Sequence, residues 1–505
     1  MSGLRLLTLQ LCAATLCCAI SSNVVAEYAT LPIDHWNVSV GTYHNRYWVN
    51  DQHYRAGGPI FIHDVGESNA EHPAQRYLGQ SSSYLVNLLR EFHGMGIVWE
   101  HRYFGDSQPF PVNLTTPLEH FKYLTTSQAL ADIPVFARTF RRPQIEYDLT
   151  PETTSWVMIG CSYSGARAAL SRHEYPGTFH AAYAASATLL AQNNDTSYFE
   201  QVYRGMVGYG YRNCTKDLHA IMAYVDDQLS SSPENASSIA QLFLGPGAEH
   251  NTYADLTTAL ATIYDQFQGQ GMGRQSSPTS LAAFCDYLEQ DPHTGLPAPT
   301  TGLVPIYGAR ALTERYASWP PLTEMINKSY QTNCRDTKTN NNANRTCDLS
   351  LPRSSDPAII AWTWMTCTEW GTSVGPNLGS HAIVSKYLLS QEGEDGGNLC
   401  NRQFPGAVEY GALPRRPATD RHNNGVTNKL HPTNTFWTEG EYDPWRSLTR
   451  LPLPADGEEG RMDSTEYILH HAEHCYDFRT TSSESARMAQ GRFIGLLRKW
   501  LEGYK

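Results

Sequence analysis

A chain of 505 residues, 41% hydrophobic and carrying 38 glycines and 29 prolines, is long enough to bury a large core and to divide into two domains. Its formal net charge of -12 argues against a nucleic-acid partner, which would call for a basic surface. The same excess of acid suits an acidic environment, where protonation relieves self-repulsion.

Residues 1–26 read as a secretory signal peptide. Arg5 supplies a positive charge, Leu6 to Ile20 is largely apolar, and small residues at Ala19, Ser21, Ser22 and Ala26 offer cleavage boundaries. No later stretch reaches the about 18 apolar residues needed to span a bilayer, so no stable membrane anchor is expected. Of the 11 cysteines, Cys12, Cys17 and Cys18 leave with the signal, and the rest form an even set suited to disulfides in an exported chain. Joining sequence neighbours pairs Cys214 with Cys285, Cys334 with Cys347, and Cys367 with Cys400. Cys161 and Cys475 are left over, and whether they bridge is open. In a secreted chain, the sequons beginning at Asn37, Asn113, Asn194, Asn213, Asn235, Asn327 and Asn344 read as surface glycosylation sites.

Within residues 27–197 the rhythm is that of a wound parallel sheet. The run from Thr42 to Val49 alternates as an edge strand in an antiparallel hairpin. Gly57-Gly58-Pro59 then turns into a buried strand, Ile60 to His63, and Asp64-Val65-Gly66-Glu67 follows at its carboxyl end, where open α/β sheets bind ligands. Tyr84 to Phe92 predicts a helix and Gly96 to Glu100 a return to the sheet. His101 to Ser107 forms a loop that either faces substrate or holds itself by hydrogen bonds. Ser127 to Phe136 predicts a helix despite Pro134. Trp156 to Ile159 is a short apolar run of the kind that fills a buried parallel strand, and Gly160-Cys161-Ser162-Tyr163-Ser164-Gly165 leads from it into an alanine-rich helix. A serine at such a junction is held on a strained turn with its hydroxyl exposed, which is what a nucleophile needs. The pattern departs from Gly-x-Ser-x-Gly, because the second glycine comes one residue late. Phe179 to Ala187 supplies a further strand and its exit loop.

From residue 198 to 405 the pattern turns α-rich, with helical stretches at Val202 to Tyr209, Leu218 to Leu229, Ala236 to Phe243, Leu256 to Phe267, Ser280 to Leu288 and Ala309 to Tyr316. This segment is expected to be an inserted, mainly helical cap over the catalytic face. Its Asn-rich stretch, 333–350, lacks calcium-loop spacing and reads as a loop pinned by Cys334 and Cys347. Trp362 to Gly371 packs three tryptophans, Met365 and Glu369 into one run. It is either cap core or an apolar substrate pocket, with Glu369 binding an amine or organising the loop.

Residues 406–505 return to the first domain. Thr435 to Thr438 gives a strand before a loop presenting Asp443, and His474 precedes a final helix from Ser485 to Leu501. Serine, acid and histidine in that order is the chain order of α/β-hydrolases. Together these features predict an α/β-hydrolase fold in which Ser162 is nucleophile, Asp443 orienting acid and His474 base. The backbone N–H groups of Tyr163 and Gly66 are the candidate oxyanion donors, and Glu67 is a candidate for contacting substrate. No cofactor or metal is called for: His470, His471 and His474 lack a catalytic zinc spacing.

The combined motifs resemble the S28 serine peptidase family, the group of lysosomal Pro-Xaa carboxypeptidase, dipeptidyl peptidase II and fungal acid prolyl endopeptidases. The resemblance rests on Gly57 to Phe61 with Gly66-Glu67, Glu100-His101-Arg102-Tyr103-Phe104-Gly105, Ser127 to Asp132, Gly160 to Gly165, Cys367 to Gly371 and Asp443-Pro444-Trp445. It implies peptide-bond hydrolysis, usually after proline, in a mildly acidic secreted, vacuolar or lysosomal setting. It also makes Trp445, Trp370 and Met365 candidates for an apolar wall around the proline ring. Glycine is common in that family where Cys161 stands, asparagine where Glu439 stands, and glycine where Val65 stands. The competing readings are a serine carboxylesterase or lipase on the same fold and, in another class, a catalytically inactive secreted binding protein. The expected partner is a proline-containing peptide or protein, and a homodimer is compatible with the sequence. Endopeptidase, aminodipeptidase and carboxypeptidase action are not distinguished.

Overall fold

The computed structural model describes residues 24–502 apart from 274–276, 337–345, 351–352, 372–373, 389–398, 427–429, 431, 450–464 and 479–482. The sequon at Asn344 and nearly all of the expected signal segment lie outside the described residues. Among the described residues no helix is long and apolar enough to cross a membrane.

One sheet organises the chain, in the strand order β1-β2-β4-β3-β5-β6-β7-β8. β1 (Ala26–Pro32) and β2 (Thr42–Asn50) form the predicted edge hairpin, and β2 also runs antiparallel to β4 (Met95–Trp99). β3 (Ile60–Asp64), β5 (Trp156–Cys161), β6 (Phe179–Ala185), β7 (Thr435–Gly440) and β8 (Glu466–Leu469) continue in parallel from β4. Their carboxyl ends therefore all open on one edge, where a wound sheet places its ligand site.

Strand pleating divides the side chains between two layers. Ile60, Ile62, Trp156 and Met158 face one core, which is completed by α3 (Thr126–Thr139) and α4 (Tyr163–Glu174). Phe61, Val157 and Ile159 face the other, covered by α1 (Glu71–Gly79), α2 (Tyr84–Phe92) and the C-terminal helix Glu484–Glu502. Helix α2 shows how local sequence sets the element. Ser83 caps its amino end through Val86 N–H at 3.1 Å, His93 ends it in the left-handed conformation, and Leu85, Leu88 and Leu89 bury on the sheet. Each such leucine contributes about 1.5–3 kcal/mol.

Helices fill much of residues 198–405, and they divide between two apolar cores. A separate apolar core is built from Tyr198 to Leu349 together with Ile383, Val384 and Leu388. Helix Pro357–Met365, the turn Thr366–Trp370 and helix Leu399–Gln403 instead pack into the sheet-side core with Phe121, Leu130 and Tyr163. The tryptophan-rich run is apolar enough to be buried anywhere, and it fills the layer beside α3 rather than the cap.

Candidate active site

Ser162 stands at the junction of β5 and α4 with φ 63° and ψ -130°, the backbone strain expected of an exposed nucleophile turn. The late glycine has a structural reason. A Cβ at Gly165 would come 2.4 Å from the Ala185 carbonyl oxygen, and one at Gly160 would come 2.1 Å from the Ser164 carbonyl oxygen. Ser164, in the usual glycine position, folds back instead. Its Oγ donates to the Cys161 carbonyl at 2.7 Å and accepts from Cys161 N–H at 3.0 Å.

The chain ends beyond β7 and β8 bring the other two residues together. His474 Nδ1 lies 2.9 and 2.8 Å from the two carboxylate oxygens of Asp443, both side chains being buried. Asp443 also accepts from Trp445 N–H at 2.9 Å. Burial works against its charge, yet the contacts with His474 outweigh that and hold the carboxyl below its ordinary range. A carboxylate can only accept, so Nδ1 carries the proton and Nε2 is left as the basic nitrogen. Ser162 and His474 line one cavity of 630 Å³, with Glu67, Arg76, Asp265 and Gln268 on its walls. All four disulfides form: the three neighbour pairs and Cys161–Cys475, which joins the serine's neighbour to the histidine's. The Cys161 and Cys475 sulfurs lie near His474, but as disulfide sulfurs they offer no thiolate to a metal.

Tyr163 N–H is the first of α4 and so has no acceptor within the helix, which is what the predicted oxyanion role requires. Gly66 does not fill the predicted second place. Its N–H donates to Asp64 Oδ1 at 3.0 Å, Val65 N–H goes to the Trp99 carbonyl at 3.2 Å, and Asp64 itself is ion-paired with Arg167 at 2.5 Å. The Glu67 side chain lines the cavity, with burial pushing its carboxyl up.

Several expected substrate contacts are structural. Glu369 Oε2 accepts from Thr126 N–H at 2.9 Å and Thr126 Oγ1 at 2.7 Å, anchoring α3 instead of reaching the cavity. Trp370 is buried edge-on to Tyr163 at 5.2 Å with its Nε1 donating to Thr126 Oγ1, and Met365 is buried in the same core. Trp445 does line a cavity, a second one of 450 Å³ with Tyr198, Tyr264, Tyr330 and Leu388. His101 and Arg102 hold their own loop. His101 Nδ1 donates to the Arg102 carbonyl at 2.6 Å, which leaves its Nε2 to accept from the Tyr163 hydroxyl at 3.0 Å. Among the sequons, Asn37, Asn113 and Asn235 are exposed and Asn194 and Asn213 half-buried. Asn327 is fully buried and its amide is spent on Cys334, donating to the carbonyl at 3.1 Å and accepting from N–H at 2.7 Å, so it is no glycan acceptor in this fold.

Sequence reading missed the cap's contribution. Gln268 accepts from His474 N–H through its carbonyl at 3.2 Å and from Trp445 Nε1 through its side chain at 3.0 Å. The signal was Gly271: at φ 59° its Cβ would fall 2.2 Å from Glu473 Oε1, so the glycine marks where the cap touches the histidine loop.

Residues 31–494 match the serine carboxypeptidase S28 family model. The chain belongs to that family. Membership makes it a serine peptidase on an α/β-hydrolase fold. It is 28% identical to the serine protease vicPb of Bipolaris victoriae over 93% of this chain and 87% of that one. A probable extracellular serine carboxypeptidase of Arthroderma benhamiae is 25% identical over 89% of this chain, which spans only 63% of that protein. The mouse thymus-specific serine protease is 24% identical over 94% and 87%.

Proposed function

We propose that Ser162, His474 and Asp443 are the catalytic triad of an exported peptidase that cleaves after proline under acidic conditions. The observation that carries this reading is the strained Ser162 turn opening on the same cavity as a histidine whose other nitrogen is held by a buried aspartate. In the reaction, His474 Nε2 takes the Ser162 hydroxyl proton as Oγ bonds to the peptide carbonyl carbon. The N–H of Tyr163 receives the negative oxygen. Collapse breaks the carbon–nitrogen bond, and the proton on Nε2 passes to the leaving amine. Water then attacks the acyl-enzyme by the same route and restores the serine.

Proline preference is supported by the second cavity. Trp445, two residues from Asp443, meets Tyr198 edge-on at 4.9 Å, and flat rings of this kind suit a compact pyrrolidine. Export is supported by the four disulfides and the apolar N-terminal segment. An acidic setting is supported by the net charge and by Glu439. This residue lies buried beside Asp443, its carboxyl pushed well above the ordinary range by burial and then by Asp443's charge.

The test is incubation at acidic pH with one proline-containing peptide in free, amino-blocked, carboxyl-blocked and doubly blocked forms, with products identified by mass. Cleavage after proline is expected. Turnover of the doubly blocked form assigns an endopeptidase, and loss on blocking one end assigns the matching exopeptidase. Ester turnover dependent on Ser162 with no peptide cleavage would overturn the reading.

A further inference from the structure

We propose that Asp265 is the anchor for an ammonium group of the substrate, either a peptide's free amino terminus or a lysine side chain. The inference rests on the cavity being the substrate site described above.

Asp265 sits in the cap between the turn Ala261–Tyr264 and the short helix Phe267–Gln270, and it lines both the Ser162 cavity and the aromatic cavity of Trp445. Its position relative to the reacting atoms is fixed, because Gln268, one turn on, is bonded to both His474 and Trp445. Its side chain is exposed to the cleft. Among the described residues no cation pairs with it. Arg76, the guanidinium of the first cavity, is engaged with the Phe478 carbonyl at 3.1 Å. The described lining of the second cavity includes no lysine, arginine or histidine, so Asp265 is its single charged side chain. Burial pushes this carboxyl up to about 6, and no neighbouring cation offsets the push. A carboxylate that lacks a counter-ion gains from a ligand that brings one.

The surroundings select the class of ligand. Tyr198, Tyr264, Tyr330 and Trp445 line the same cavity, and aromatic faces attract a cation while repelling none of its aliphatic stem. A substrate carboxylate placed here would meet Asp265 with like charge, so the site discriminates between the two ends of a peptide.

Calorimetric binding at pH 7, where Asp265 is ionised, separates the possibilities with three small amides: Ala-Pro amide, N-acetyl-Ala-Pro amide and N-acetyl-Lys-Pro amide, each with the wild type, Asp265→Asn and Asp265→Glu. The wild type is expected to bind an ammonium-bearing amide about 10- to 100-fold more tightly than the acetyl-alanyl form, the range of a charge-assisted hydrogen bond. Whichever of the two ammonium ligands shows the gain identifies the source. Asp265→Asn should bind all three alike, and Asp265→Glu should keep the preference, which a merely structural role would not produce. Equal binding of all three by the wild type, or a preference that survives in Asp265→Asn, overturns the proposal. The catalytic reading is judged separately, by fluorophosphonate labelling of Ser162, because binding of these amides requires no turnover.

Discussion

Two buried charged clusters lie at the same edge of the sheet, and they are built differently. Behind β4, Glu100 accepts from Arg46 at 2.8 and 3.1 Å, from the N–H groups of Ala70, Asp106 and Ser107, and from the Ser107 hydroxyl. Arg102 grips Asp132 at 2.7 and 2.6 Å and donates to the carbonyls of Ile33 and Tyr123, while Asp132 also receives Tyr43 and lies against His35. Beyond β7 the bonding is incomplete. Among the described residues the Glu439 carboxyl oxygens, though close to Asp443 and Thr449, close no hydrogen bond of good geometry, and Arg446 Nε and Nη2 are likewise left over. The first cluster spends its bonding capacity on fixing loops, and the second keeps some in reserve around Asp443. Saturation marks the structural ion pairs; the proposed triad sits beside the unsaturated ones.

The difference is sharpest in what each cluster should do when a member is removed. Burial opposes the Asp132 charge, but Arg102 wins and holds the carboxyl down to about 2. Asp132→Ala leaves Arg102 charged and unpaired in the core, so it should cost about 3–5 kcal/mol in denaturant unfolding. The Asp132 contribution is fully present above the unfolded carboxyl's pKa and is lost as pH falls from about 4 towards 2. A loss below about 1 kcal/mol would mean the saturated cluster is not structural.

Glu439→Gln should have the smaller effect and the opposite pH sense. The folded Glu439 carboxyl titrates well above its reference 4.5, so the folded state holds a proton that the unfolded chain gives up. Its contribution is complete below about 4.5 and declines as pH rises above that value. Glutamine does not titrate. The variant should therefore match the wild type within about 1 kcal/mol at acidic pH and become relatively more stable towards neutral pH. Parallel stability–pH curves for the two proteins would show that Glu439 does not share the proton balance of Asp443.

The legibility of these regions follows from the range of the forces that define them. β3, β5 and α2 were readable because apolar runs and helical periodicity are local. The triad order and the neighbour disulfides needed only chain order and spacing. β8 was missed: four residues with a half-exposed face, Glu466–Leu469, carry too little pattern. The Trp362–Trp370 run carries equal apolarity whether it lines a pocket or fills a core, and only its bonds to Thr126 decide for the core. Gly66 was misplaced because the Asp64 side chain captures its N–H, a contact that loop spacing does not report. Asp265 and Gln268 lie about 200 residues from Asp443 and His474 in sequence, and no local periodicity joins a cap turn to a histidine loop.

In the proposed mechanism Ser162 is activated by His474. The most direct measurement is the rate of fluorophosphonate labelling, with the adduct mapped by peptide mass, for the wild type and His474→Ala. A single adduct on Ser162 is expected, forming at least about 100-fold more slowly without the histidine base. An adduct on another serine, or equal rates in the two proteins, would contradict it.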